Sequence, residues 1–156
     1  LILPSGLYVG QQNLKKEIKL RGIDPNRLIF LDYVDSAQHL ARLKLMDLSL
    51  DTFPFTGGVT TSDAVRMGLP VVTCLGNSFG SRVSGSVLKA LNMDELIAKS
   101  KKEYVNIAIE LANNKNKLKE IKKKLKQNLP GSLLFDTKSY CYHLEEAFLK
   151  ALKKNK

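Results

Sequence analysis

The sequence predicts an α/β protein with an open parallel sheet, flanking helices and a helical C-terminal third. Short apolar runs alternate with helical patterns and are joined by short links, which favours βαβ units and a Rossmann-like sheet. From Arg82 onward only helical patterns follow. We therefore expect a single domain over residues 1–156, in which residues 1–80 form the α/β core and residues 81–156 form the helical portion that completes it.

Four strands are predicted, because four short apolar runs end at loop-forming residues. They comprise residues 1–3, 28–31, 48–50 and 71–74. The last of them, Val-Val-Thr-Cys, is rich in β-branched residues, as is typical of a parallel strand that is buried on both faces. This run is therefore the strongest candidate for a central strand.

Helices are predicted between the strands from apolar spacing and from residues that begin or end helices. The first covers residues 14–21 and ends at Gly22, since glycine commonly follows a helix. Ser36 is predicted to cap the second helix. The third is expected to extend from Thr61 to Met67, with Gly68 after its end.

The C-terminal part reads as successive helices that pack through one apolar face. Apolar residues recur every three or four positions through Leu125, and Pro130-Gly131 then interrupts the pattern. A last helix is expected over about residues 137–152. We expect it to bury Tyr140, Leu144, Ala147, Phe148 and Ala151.

The positive charge of the chain is concentrated at its C-terminal end. The formal net charge is +10, and residues 99–156 hold fifteen Lys or Arg against six Asp or Glu. Such a segment attracts nucleic acid, anionic lipid or an acidic partner, but more often it is simply the solvated face of a helix. We predict the solvated face, with no specific nucleic-acid partner.

The length of the apolar runs and the positions of the two cysteines limit the class of protein further. No apolar run approaches the roughly 18 residues of a membrane helix, so no membrane association is predicted. Because the chain begins without Met, we expect it to be a segment of a longer polypeptide. Cys74 and Cys141 lie outside any metal-binding pattern, and two buried free thiols in a reduced cytoplasm are predicted.

Residues 50–73 contain the pattern that most strongly indicates a binding site. A predicted strand leads into a glycine loop, and a helix follows it, which is an arrangement that binds anions through free backbone amides. Hydroxyls add donors for phosphate oxygens, and an acid in the first helical turn is suited to a ribose diol. The candidate residues are Gly57, Gly58, Thr60, Thr61, Ser62 and Asp63. By itself, the same pattern also fits an ordinary loop and helix cap.

The residues from Arg27 to about Leu152 resemble a known family over most of the chain. The segments that carry the resemblance are RLIFLDYV, HLARLKLMDLSLDTFPF, TTSDAVRMGLPVVT, SRVSGSVL, ELIAKSKKEYVNIAIEL and LFDTKSYCYHLEEAF. In this order and spacing they resemble the C-terminal catalytic lobe of O-GlcNAc transferases, the family that includes the plant SPINDLY proteins. The resemblance implies a GT-B glycosyltransferase, in which two Rossmann-like lobes enclose a sugar nucleotide, and this chain would be the C-terminal lobe.

The resemblance also implies roles for individual residues. His39 would lie near the uracil, Thr60 at the pyrophosphate and Asp63 at the ribose, with Thr61 and Ser62 in the same loop. Ser81 and Arg82 would form another wall beside the donor. The implied reaction is inverting transfer of N-acetylglucosamine from UDP to Ser or Thr of an acceptor protein. Catalytic groups are expected upstream of Leu1.

The chain departs from the family pattern at two positions of the site. Many relatives have a histidine where this chain has Gly58, and a donor-contacting lysine of well-known members falls at Ser36. These differences leave UDP binding as the expectation and leave the sugar open.

Other functions fit the sequence less well. A different GT-B nucleotide-sugar enzyme, such as a glycan transferase or an epimerase, is the nearest alternative. A basic nucleic-acid-binding module lacks interleaved aromatic residues, and a dinucleotide oxidoreductase lacks GxGxxG after a strand. There is no DxD motif placed to hold a metal, so we expect neither a metal nor a cofactor.

Overall fold

The computed structural model describes residues 1–4 and 6–154. It divides the chain into two compact units, Leu1–His39 and Leu40–Lys156, and each unit is described by itself. The expected single domain stays a prediction.

The first unit is a parallel strand pair with a connecting helix. Strand β1 (Ile2–Pro4) pairs with β2 (Ile29–Leu31) in parallel. Helix α1 (Tyr8–Leu20) joins them and begins six residues before its predicted start at residue 14. It ends as predicted, because Gly22 adopts a φ of +74°, a left-handed conformation that glycine enters without steric cost.

The second unit contains a three-stranded parallel sheet in the order β3-β4-β5. Its strands are β3 (Ser49–Leu50), β4 (Val71–Cys74) and β5 (Ile97–Ala98). All four residues of β4 are buried, and Thr73 of this central strand lies opposite Ile97. The predicted α/β class with parallel strands is confirmed. The prediction of helices alone after Arg82 is wrong at β5.

The remaining helices follow the predicted order, with shifted ends. They are α2 (Ser36–Leu43), α3 (Val59–Arg66), α4 (Val83–Ala90), α5 (Lys101–Asn113), α6 (Lys115–Asn128) and α7 (Thr137–Lys154). Asp35 rather than Ser36 caps α2, since its carboxylate accepts the N–H of Gln38 at 2.8 Å. None of the helices described here is long and apolar enough to cross a membrane.

The core of the second unit lies between the sheet and helices α3 to α6. Its fully buried side chains come from every one of these elements, and examples are Val65, Val72, Leu88, Leu111 and Leu125. Gly68, which follows α3, has a φ of +78° and turns the chain back toward β4. This packing fixes the ends of β3 and β4 and the start of α4, from which the site is built.

Helix α6 carries seven of the fifteen lysines of residues 99–156 and is held by ion pairs as well as by its apolar face. Lys122 lies 2.8 Å from Asp47, Lys124 lies 2.6 Å from Glu95, and Lys117 pairs with Glu110. Exposed pairs of this kind contribute about 0–1 kcal/mol each. The carboxylates of these pairs offset part of the positive charge of α6.

The apolar stripe of α7 is exposed, which corrects the predicted burial of Tyr140, Leu144, Ala147, Phe148 and Ala151. Phe148, for example, is 61% exposed. Cys141 of the same helix is exposed as well, so the predicted burial of both free thiols is wrong for Cys141 and correct for Cys74. The helix itself is present over Thr137–Lys154, so the apolar spacing predicted its conformation correctly. The prediction of burial was wrong because an amphipathic pattern does not show whether another surface covers the apolar face of the helix.

Candidate nucleotide-binding site

The candidate site lies at the carboxyl edge of the three-stranded sheet. Because β3, β4 and β5 are parallel, the loops that follow them emerge at the same edge, where open α/β sheets bind ligands. The loop after β3 leads into α3. We call residues 56–61, which comprise the end of this loop and the start of α3, the glycine loop.

Asp51, the first residue after β3, holds the glycine loop from one side. One carboxylate oxygen accepts the N–H of Gly57 at 2.9 Å, and the other accepts the hydroxyl of Thr73 at 2.6 Å. Asp51 is buried, and these two donors satisfy its carboxylate oxygens. Burial without them would be costly.

Buried hydroxyls hold the same loop from the other side. The Ser84 hydroxyl of α4 donates to the carbonyl oxygen of Gly57 at 2.7 Å and lies 2.8 Å from the Thr61 hydroxyl. The Thr56 hydroxyl donates to the Gly80 carbonyl at 2.8 Å and accepts the N–H of Ser84. The glycine loop is thus tied both to α4 and to the loop that follows β4.

The N-terminus of α3 is open toward solvent. Gly58 is its capping residue and has no side chain to accept an amide hydrogen, whereas α5 and α6 are capped by Ser100 and Asn114. The first turn of a helix leaves its amides without helical partners. In α3 the first amide that has such a partner is that of Ser62, which donates to the carbonyl oxygen of Gly58. The amides of residues 58–61 therefore stay available to an anion.

This helix start corrects the predicted place of Asp63. Since α3 begins at Val59 rather than at Thr61, Asp63 lies in the second turn and not in the first.

Three of the predicted side chains are free to bind a ligand. Thr60 is exposed, and Ser62 and Asp63 are half-buried. Within the described part of the chain, none of the three side chains forms a hydrogen bond or an ion pair. A half-buried carboxylate and an exposed hydroxyl next to open amides are what a phosphate and a neighbouring diol require.

Thr61, in contrast, is turned into the protein. It is 3% exposed, and its hydroxyl belongs to the buried contact with Ser84. The structure therefore gives the Thr61 side chain a supporting position within the glycine loop rather than the predicted contact with a ligand. Its amide remains part of the open helix terminus.

The two predicted wall residues, Ser81 and Arg82, differ in the exposure of their side chains. Ser81 is buried, and its hydroxyl accepts the N–H of Ser78 at 2.9 Å, so it closes its own loop. Arg82 is exposed at the cap of α4. Ser81 also lines a cavity of about 380 Å³, together with Phe53, Pro54 and Lys99 at the same sheet edge.

His39 lies in α2 and is half-buried. Its backbone N–H donates to the carbonyl of Asp35 at 2.8 Å. Since His39 ends the first unit and the glycine loop lies in the second, its contact with a uracil stays a prediction.

Tyr104 of α5 connects the base of the site to the core. Its hydroxyl donates to the carbonyl oxygen of Asp51 at 2.8 Å, and its ring packs edge-on against Phe53. Burial raises the pKa of the Tyr104 phenol above its ordinary value of 10.0, and Coulombic interactions with Asp51 and Cys74 raise it further.

Comparison with known proteins assigns the chain to a family. The model of glycosyl transferase family 41 matches residues 3–144 of the chain. The chain belongs to glycosyl transferase family 41. The resemblance to O-GlcNAc transferases and SPINDLY proteins is thereby confirmed.

Several members of family 41 align with nearly the whole chain. A UDP-N-acetylglucosamine–peptide N-acetylglucosaminyltransferase of Caenorhabditis elegans is 37% identical over 139 residues, which are 89% of this chain and 12% of that protein. A probable enzyme of the same name, SPINDLY of Hordeum vulgare, is 32% identical over 139 residues, or 88% of this chain and 15% of that protein. The chain thus spans about an eighth of the length of these relatives.

A solved structure shares the fold. A mutant of the O-GlcNAc transferase of Thermobaculum terrenum superimposes with a TM-score of 0.87 and 29% sequence identity. The match covers 95% of this chain and 29% of that one. The described architecture is therefore that of one lobe in a family 41 enzyme, as the predicted GT-B fold requires.

The close approach of Gly57 to two threonines predicts an effect of Gly57→Ala. An added Cβ would lie 2.5 Å from the Thr60 hydroxyl oxygen and 2.6 Å from that of Thr61. Because Thr61 is locked against Ser84, we expect a loss of about 1–3 kcal/mol in the free energy of unfolding, measured by urea denaturation.

Gly58→Ala is the matched control for this variant. Its Cβ would meet nothing closer than Val83 Cγ1 at 3.8 Å, so only the change of capping residue remains, at about 0.5–1 kcal/mol. Equal stability of the two variants would contradict the close packing described for Gly57.

The raised pKa of Tyr104 predicts a pH-dependent contribution to stability. Above pH 10 the unfolded chain loses the phenolic proton before the folded chain does, so the wild-type protein loses stability as pH rises. Tyr104→Phe lacks this proton and should lower the free energy of unfolding by about 1 kcal/mol at pH 8. The stability difference between the two proteins should shrink at pH 10.5.

Urea denaturation at pH 8 and pH 10.5 measures this difference, in which the titrating lysines cancel. Tyr33 is 97% exposed, so Tyr33→Phe should behave like wild type at both pH values. A Tyr104→Phe difference that is constant with pH would show that the phenol is not buried as described.

Proposed function

We propose that the chain forms the donor-binding part of an enzyme that transfers N-acetylglucosamine from UDP to Ser or Thr side chains of proteins. The observation that carries the proposal is the open N-terminus of α3 at the glycine loop, with Thr60 and Asp63 unpaired beside it. The names of the C. elegans and barley relatives support the sugar and the acceptor.

Binding of the diphosphate follows from the geometry of the glycine loop. The amides of residues 58–61 and the hydroxyl of Thr60 supply donors, and the exposed Arg82 supplies a positive charge at the start of α4. In transfer, the bond from the sugar to the diphosphate breaks and the UDP leaving group gains charge. Fixed donors at that position stabilise this charge in the transition state.

The side chain of Asp63 is proposed to accept hydrogen bonds from the ribose hydroxyls. It lies one turn beyond the open amides, in α3, and its carboxylate is half-buried. His39 is proposed to contact the uracil. We also propose a cytoplasmic location, which the free thiols of Cys74 and Cys141 support.

We propose that the chain has no specific nucleic-acid partner, because three lysines of the basic helix pair with carboxylates. Lys117, Lys122 and Lys124 of α6 each pair with a carboxylate of the same unit. Their charge stabilises the fold, and the acidic partners reduce the field that a polyanion would meet.

Titration of UDP into wild type and Asp63→Ala tests the proposal. Loss of a charge-assisted hydrogen bond costs about 1.5–3 kcal/mol, so the variant should bind UDP roughly ten- to a hundredfold more weakly. The wild-type protein should also lose affinity for 2′- or 3′-deoxy-UDP, whereas the variant should bind these analogues and UDP alike.

Asp94→Ala is the control, because Asp94 is an exposed acid of the same unit in a turn away from the glycine loop. It should leave UDP affinity unchanged. If Asp63→Ala melts at a lower temperature but binds UDP as tightly as wild type, Asp63 is structural and the ribose contact is wrong.

A further inference from the structure

The buried hydroxyl of Ser84 has a single hydrogen, and the structure determines where it goes. A carbonyl oxygen only accepts, so the 2.7 Å contact between Ser84 and Gly57 requires Ser84 as the donor. The 2.8 Å contact with the Thr61 hydroxyl must then be donated by Thr61. The two hydroxyls form a directed chain that ends on the glycine loop.

This chain fixes the peptide unit between Gly57 and Gly58. A trans peptide is planar, and its C=O and N–H point in opposite directions. Since the carbonyl of Gly57 is directed inward to fully buried Ser84, the N–H of Gly58 is directed away from α4. That amide is the first of the open set at the start of α3.

The preceding peptide unit is fixed independently. The N–H of Gly57 donates to the Asp51 carboxylate, which in turn is held by Thr73 of the central strand. Both backbone groups of Gly57 are therefore committed to buried partners. Without side chains, Gly57 and Gly58 would otherwise be free to rotate their peptide units.

We propose that Ser84 is a positioning residue that aims the amides of the glycine loop at the diphosphate of the donor. It touches no ligand and acts only through Gly57. The inference rests on the proposed function, because it assumes that the ligand carries a diphosphate bound at this loop.

Calorimetric titration of UDP and of uridine tests the proposal in wild type, Ser84→Ala and Ser84→Cys. Removing the hydroxyl frees the Gly57 carbonyl, so both variants should bind UDP roughly tenfold more weakly, as expected for weakening one hydrogen bond to a charged group. Uridine has no phosphate, and its affinity should not change. Ser84→Cys keeps a heavy atom at the position of the hydroxyl but is only a weak donor, and it therefore separates loss of the hydrogen bond from loss of packing.

Ser86→Ala is the matched control. Ser86 lies on the same helix, is exposed, and bonds only to the carbonyl of Arg82, so this variant should bind both ligands like wild type. Thermal melting of all four proteins identifies any variant that fails to fold.

The outcomes distinguish the two proposals. If wild type binds UDP no more tightly than uridine, the glycine loop does not bind the diphosphate and the proposed function is wrong. If wild type prefers UDP and the folded Ser84 variants keep the full preference, Ser84 does not position the loop. A parallel loss of UDP and uridine affinity would also overturn the proposal, because it indicates general damage.

Discussion

The backbone of Gly57 is bound at both its N–H and its C=O, and the rest of the site depends on this constraint. The Asp51 carboxylate accepts the N–H and the Ser84 hydroxyl donates to the carbonyl. A residue without a Cβ is needed here, because the Thr60 and Thr61 hydroxyls occupy the space that a side chain would fill. The direction of the open amides at α3 follows from these contacts.

The fold supplies the partners of Gly57 from elements that are fixed by the core. Asp51 ends β3, Thr73 lies within fully buried β4, and Ser84 lies in the first turn of α4. Thr73 explains why a polar residue occupies the centre of the sheet: its hydroxyl donates to Asp51. The elements that pack the core therefore also position the site, and a substitution that alters either one is expected to alter the other.

Much of this architecture could be predicted from the sequence, because its signals are local. The β-branched run at residues 71–74 predicted β4, and Gly22 and Gly68 predicted two helix ends. β5 was missed because Ile97–Ala98 is too short to show a period of two and lies among helical apolar spacing. The start of α3 was misplaced because a glycine cap carries none of the usual capping side chains.

The supporting residues of the site escaped prediction for a different reason. Ser84 lies in a helical pattern where a small polar residue looks ordinary, and its role depends on a contact 27 residues away along the chain. Thr61 was assigned to the ligand because sequence gives the loop but not the direction of a side chain. An acid directly after a predicted strand, as at Asp51, was the one local signal available for this network.

The most direct test of the account is the response of backbone amides to the ligand, measured by NMR on the ¹⁵N-labelled protein. If the diphosphate binds at the open terminus of α3, UDP should shift the amide resonances of Gly58, Val59, Thr60 and Thr61, whereas uridine should leave them nearly unchanged. The account would be contradicted if UDP left these four resonances in place and shifted amides elsewhere, such as those of α6.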